Sequence, residues 1–219
     1  LVVSQVEHSQ IALGGSHITA HALWRALLEC GAEATSLTHV QKILIEDGKA
    51  VGVESEAGRK YLAPVVSTVD VKQTFLKLVG EDQLDPVFVS HVKGFRLDEV
   101  SVFAVHLALR EAPKFRTQAG YEDINQAFRL NIGFDAPDDY SAILADVRQG
   151  RLPENLAFIA SVPTWFDPSQ APSGHTAFLW ALVPYRLKSG ASWDEVRDEY
   201  ARRCIAKFRQ YAPNVTEEN

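Results

Sequence analysis

The side chains that could do chemistry are few and scattered. His17 and His21 stand four apart, a spacing that puts two imidazoles on one helical face as metal ligands. A zinc protease carries Glu directly after the first His; Ile18 stands there instead and no third ligand is at hand, so no metal site is expected. The alternative is a helix whose histidines face a cavity or solvent. Gly14-Gly15-Ser16-His17 does not meet the Gly-x-Ser-x-Gly pattern of a nucleophile elbow. The phosphate-binding patterns G-x-x-x-x-G-K-[ST] and G-x-G-x-x-G do not occur. Asn214-Val-Thr216 matches a glycosylation acceptor, read as a chance match because no secretory signal is seen.

Two features remain. His106 lies between Ala104 and Ala108 on the small-residue side of an apolar stretch, with room for a ligand or a packed helix. A buried, hydrogen-bonded histidine is the leading reading there, and a functional one the rival. His17 and His106 are the only candidates for a catalytic acid or base, and neither is forced by the pattern. Trp165, Phe166, Phe178, Trp180 and Tyr185 gather aromatic surface. Core packing accounts for them, while Trp165, Trp180 and Tyr185 are the candidates for lining a flat or extended apolar substrate.

The elements that must position these groups alternate between helical and strand patterns. Ile18, Ala22, Leu23, Ala26 and Leu27 recur at helical spacing between Ser16, a plausible N-cap, and Gly31, predicting a helix over 17–30. Strands at 35–45, 50–54 and 61–68, with turns at 46–49 and 56–59, read as a three-stranded meander. Pro64-Val65-Val66 is apolar enough for a strand covered on both faces. Asp70-Val-Lys-Gln73 opens a helix that Gly80 closes, and a short helix is expected from Pro86 to His91. Residues 99–110 form the clearest strand, with Val102, Ala104, His106 and Ala108 on one face and Phe103, Val105, Leu107 and Leu109 on the other. Residues 111–136 mix turn signals and give no clear element. A helix at 138–147, strands at 156–162 and 176–183 and a last helix entered by the capping box Ser192-Trp-Asp-Glu195 complete the reading.

Composition bounds the function. A net charge of -6 with no dense block of Lys and Arg excludes the footprint of a nucleic-acid binder. Cys30 and Cys204 stand far apart and in no Cys-x-x-Cys pair, which suits a reducing, cytoplasmic setting. No apolar run is long enough for an integral membrane segment, and Leu1-Val-Val-Ser-Gln-Val lacks the basic flank of a signal peptide. The chain does not begin with Met, which suggests a piece of a longer protein. Residues alone therefore give an acidic α/β or α+β domain without a metal.

The order of short motifs adds a resemblance. It runs Gly14-Gly15, Gly31, Val40-x-x-Ile43, Gly48-x-Ala50-x-Gly52-Val53, Gly58 and Ala63-x-Val65-Val66-Ser67, then Thr74-Phe-Leu-x-Leu78. Further on come Phe166-Asp-Pro-Ser169, Gly174-His-Thr176, Trp180, Pro184-Tyr185 and Tyr211-Ala-Pro213. This series resembles the interior of phytoene desaturase-like, carotenoid-oxidoreductase-like FAD-dependent oxidoreductases, including those called pyridine nucleotide-disulfide oxidoreductase domain proteins.

The resemblance implies a mixed α/β architecture. It would comprise a partial FAD-binding domain of the Rossmann-like, glutathione-reductase type over residues 1–80, with a strand returning to the flavin sheet. Residues 81–200 would form a mixed-sheet substrate-binding domain with covering helices, and residues 201–219 the end of the last helix and a tail leading back to the flavin domain. FAD is the implied cofactor, met by the main chain of Val40, by Ser67 and Thr68, and by the turn Gly14-Gly15. The implied reaction is hydride transfer between an apolar organic substrate and flavin, with a homodimer as one oligomeric option. The family's phosphate-gripping motifs are not among these residues, so this segment alone is expected to be inactive. The rivals are an amine-oxidase-type flavoenzyme and a non-catalytic binding or assembly module that kept the substrate domain.

Overall fold

A computed structural model describes residues 12–96, 100–116 and 121–219. The run Leu1–Val6 and the strand start expected at Glu99 lie outside the described residues. The chain forms two compact units, one from Arg25–Leu97 and one from Leu1–Trp24 with Asp98–Asn219. The class is mixed α/β, with helices and two antiparallel sheets.

Helix α1 (His17–Glu29) follows the expected bounds and ends before Gly31, whose φ of 79° suits a helix stop. None of its residues is buried. In the Arg25–Leu97 unit, β1 (Val40–Glu46), β2 (Lys49–Ser55) and β3 (Lys60–Leu62) form the expected antiparallel meander in the order β1-β2-β3. Asp47 and Gly48 both have positive φ, 49° and 73°, as the tightest hairpin turn requires. Ile43 of β1, 4% exposed, and Ser55 of β2, 3% exposed, reach the interior.

The strand expected to run to Thr68 stops at Leu62, and Val66 is 89% exposed. Pro64 offers no N–H to continue the ladder. The Ser67 hydroxyl instead pairs with that of Thr74 at 2.7 Å. The helix expected after Asp70 begins as predicted, with the Asp70 carboxylate accepting from the N–H groups of Lys72 and Gln73 at 3.0 Å. It then widens into a π-helical stretch over Gln73–Gly80. Thr74 is buried in its first turn, and its hydroxyl donates back to the Val69 carbonyl at 3.3 Å. Helix α2 (Pro86–Gly94) starts on Asp85, whose carboxylate caps Val87 and Phe88, and runs one turn past His91.

In the larger unit, β4 (Val100–Leu109), β5 (Leu130–Ile132), β6 (Phe158–Ser161) and β7 (His175–Pro184) form a four-stranded sheet in the order β4-β7-β6-β5. A mixed sheet is expected from the sequence; every ladder here is antiparallel. Such a sheet can bury one face and leave the other half open, as the alternating burial of β4 shows. Strand β5 lies in the stretch that gave no clear element.

The closed face of the sheet carries Val105, Leu109, Phe158, Leu179 and Val183 against α4 (Trp193–Tyr211). Tyr200, Cys204 and Phe208 follow at four-residue steps on one side of α4, and all three are buried. Burial pushes the Tyr200 hydroxyl upward and the Cys204 thiol to about 11. The α4 capping box forms as read, with Ser192 N–H donating to Glu195 at 2.7 Å. That bond and one to the Ser192 side chain hold the Glu195 carboxyl below its usual value.

After α4 the chain folds back on the exit of β4. Arg110 N–H donates to the Asn219 carbonyl at 2.9 Å. The Asn214 side chain accepts from Lys114 N–H at 2.8 Å and donates to the Ala112 carbonyl at 2.9 Å. Both ends of its amide are thus used internally, in keeping with a chance glycosylation match.

Candidate functional site

The open face of the four-stranded sheet is the feature best placed to meet a ligand. The register sets Val102 opposite Leu182, Ala104 opposite Trp180, His106 opposite Phe178 and Ala108 opposite Thr176. Opposed residues on antiparallel strands share a face, so alanines on β4 stand beside aromatics on β7. The result is a floor with relief: Phe178 and Trp180 stack at 4.6 Å between ring centroids, with the small Ala104 opposite the indole. Trp180 is 44% exposed and Val102 53% exposed, unusual for large apolar groups on one patch.

A cavity of about 790 Å³ stands over this floor. Gly15, Ser16, His106, Phe128, Phe178 and Trp180 are among its walls, all within the larger unit. His106 is the one titratable side chain among the described residues lining it. The described lining carries no carboxylate and suits an uncharged apolar guest. The expectation of a buried, hydrogen-bonded His106 is corrected. Its side chain is exposed on the open face and makes no hydrogen bond to a described residue; its ring is 6.3 Å from that of Phe178. Alternation fixed which face His106 takes, while what covers that face is a tertiary matter.

The Gly14-Gly15 turn is held against this cavity by a buried carboxylate. Asp167, 4% exposed, accepts from Gly14 N–H at 2.5 Å, from the Ser169 hydroxyl at 2.5 Å and from the Gln170 amide at 3.1 Å. The Ser169 hydroxyl first, then Gly14 N–H, holds the Asp167 carboxyl below its ordinary value. Gly14 and Gly15 have φ of 86° and 92°, a region closed to most side chains. A Cβ on Gly14 would also stand 2.8 Å from the Ile18 side chain. The turn therefore presents bare backbone to the cavity.

The remaining sequence candidates fall elsewhere. Trp165 packs half-buried on the core, edge-on to Phe115 at 6.1 Å. Tyr185 is exposed past the end of β7, and its carbonyl accepts from the Trp193 indole at 3.3 Å. His17 meets His21 edge to face at 5.3 Å on the exposed side of α1. Among the described residues no cluster of three or more His, Cys, Asp or Glu could hold a metal. In the smaller unit Val40 opens β1, which among the described residues pairs with β2 alone. Ser67 and Thr68 follow β3 in irregular backbone. Sequence reasoning missed Asp167, which Asp167-Pro168-Ser169 signals as a turn cap, and Phe128, which no local signal marks.

The architecture is one already seen in a crystal structure of a protein from Pyrococcus furiosus. The TM-score is 0.54 at 17% identity, over 90% of this chain and 40% of that one. No family model matches the chain. Its sequence is 27% identical to a limonene dehydrogenase subunit of Castellaniella defragrans, over 96% of this chain and 41% of the relative. It is 26% identical to the neurosporene-forming phytoene desaturase of Cereibacter sphaeroides, over 99% of this chain and 41% of the relative. Against prolycopene isomerase 2 of an Oncidium hybrid cultivar it is 32% identical over 76% of this chain and 25% of the relative. These relatives are a dehydrogenase subunit, a phytoene desaturase and a prolycopene isomerase, in keeping with the resemblance read from the sequence. The chain spans about two-fifths of the length of the first two relatives.

Proposed function

We propose that the whole protein is a FAD-dependent oxidoreductase that moves a hydride between an apolar organic substrate and flavin. The observation that carries this reading is the open sheet face: an aromatic floor of Phe178 and Trp180 under a cavity with a single titratable wall residue among those described. Kinship with a limonene dehydrogenase subunit and phytoene desaturases supports the reaction type. In this reading the larger unit supplies the substrate floor and the smaller unit part of the flavin domain.

The residues present fit part of the cofactor. The bare backbone of Gly14 and Gly15 allows close approach of a flat ring. In this reading the main chain at Val40, on the side of β1 that no described strand covers, serves the adenine end, with Thr68 and the Thr74-bound Ser67 nearby in the chain. FAD, when bound, supplies the hydride acceptor. The chain's own work is to lay the substrate on Phe178 and Trp180, to exclude water with the apolar walls and to fix the Gly turn through Asp167. In this reading His106 is the candidate to take or return a proton, as the titratable side chain among the described residues lining the cavity.

Purified whole protein should show flavin absorbance, bleached when an apolar alkene substrate is added without oxygen. Trp180→Ala should weaken substrate binding by about tenfold, through lost aromatic contact area. Tyr185→Ala should leave it nearly unchanged. Protein that holds no flavin even when FAD is supplied would point to a binding module instead. Turnover of amines with peroxide release would point to an amine-oxidase-type enzyme.

A further inference from the structure

A second cavity, of about 450 Å³, lies on the same open face where α3 (Asp139–Arg148) covers the sheet. Trp180 lines both cavities. Along β7 the order Phe178, Trp180, Leu182 leads from the first to the second, so the indole stands between them. The second cavity is mostly hydrocarbon, with Phe134, Ile143, Ile159 and Leu182 in its walls.

Its polar groups are Arg129, Asn131 and Tyr140. Leu130 between Arg129 and Asn131 points to the closed face, 8% exposed, so alternation turns both neighbours to the open one. All three side chains carry hydrogen-bond donors. Among the described residues no Asp or Glu lines the cavity, and none of the ion pairs between them involves the Arg129 guanidinium. A donor-only cation, an amide and a phenol in the walls of an otherwise apolar chamber suit a hydrocarbon that ends in an anionic oxygen group.

We propose that this second cavity binds a hydrocarbon carboxylate, its apolar body against Phe134, Ile143 and Leu182 and its carboxylate on Arg129. Asn131 and Tyr140 supply further donors to the same group. The planar fork of Arg129 suits two carboxylate oxygens at once, which gives the site a preference for acids over esters and alcohols of equal length. The site stands on the geometry of the larger unit alone and is independent of flavin binding.

The test uses the whole protein and cis-parinaric acid, a polyene acid that fluoresces on leaving water, beside its methyl ester. At neutral pH the acid is ionised. The acid should bind about tenfold more tightly than the ester, the scale of a charge-assisted hydrogen bond. Arg129→Gln should lower the acid to the affinity of the ester, and Arg129→Lys should keep part of the difference. Arg148→Gln, the same charge change at the far end of α3, should leave the preference intact. Equal affinity of acid and ester for the unaltered chain overturns the site. So does an acid preference that survives Arg129→Gln, or failure of the acid to bind.

Discussion

Asp167 shows how one residue can set a site it does not line. Its carboxylate gathers Gly14, Ser169 and Gln170, so it positions the turn and leaves the ligand to others. Replacing it with Ala removes the acceptor and leaves the Gly14 N–H unpaired. Asp167→Ala should lower the melting temperature and speed amide exchange at Gly14, with Asp167→Asn intermediate. The sign with pH follows from the depressed folded-state value. The contribution is whole above the unfolded value near 3.8 and is lost as pH falls through the lower folded one. An acid titration of stability should therefore lose its Asp167-dependent part only below about pH 4. A variant difference that instead fades near neutrality would rule out this carboxylate as the source.

At the scale of elements, α4 and the closed sheet face carry the stability. Phe208 is fully buried, 5.6 Å from the Phe115 ring and 6.4 Å from that of Phe158. Phe208→Ala should cost about 3–5 kcal/mol in denaturant unfolding, because a cavity opens where three aromatics meet. Strand β4 was legible in the sequence because it is long and alternates over a core on one side, and helix α4 because a capping box marks its entry. Strand β5 was not, since three residues are too few to show a period. The run Pro64-Val65-Val66 misled for a different reason. A continuous apolar stretch announces cover on both faces without saying what provides it, and here Val66 stands open. His106 misled in the same way from the opposite side. The candidate site was thus half legible: Trp180, His106 and the Gly pair carry local signals, whereas Phe128 and Asp167 arrive through tertiary contacts.

For the molecule as a whole, the apolar surface left outside its two cores is the outstanding feature. Leu23, Trp24, Leu27 and Leu28 of α1 are all roughly half or more exposed. A helix that buries nothing gains little from packing and depends on propensity alone. Amides of α1 should therefore exchange faster than those of α4 in the 219-residue chain, readable by hydrogen-exchange mass spectrometry; equal protection would mean that α1 finds cover. No helix among the described residues is long and apolar enough to cross a membrane.

The bond from Asp167 to Gly14 joins positions 153 apart in the chain. The larger unit is therefore sewn from two stretches of polypeptide, with the smaller unit running between them. A protease cut at the Glu56–Gly58 turn, between β2 and β3, would sever the covalent thread and leave the seam closed. The two pieces should travel together through a sizing column and part only in denaturant.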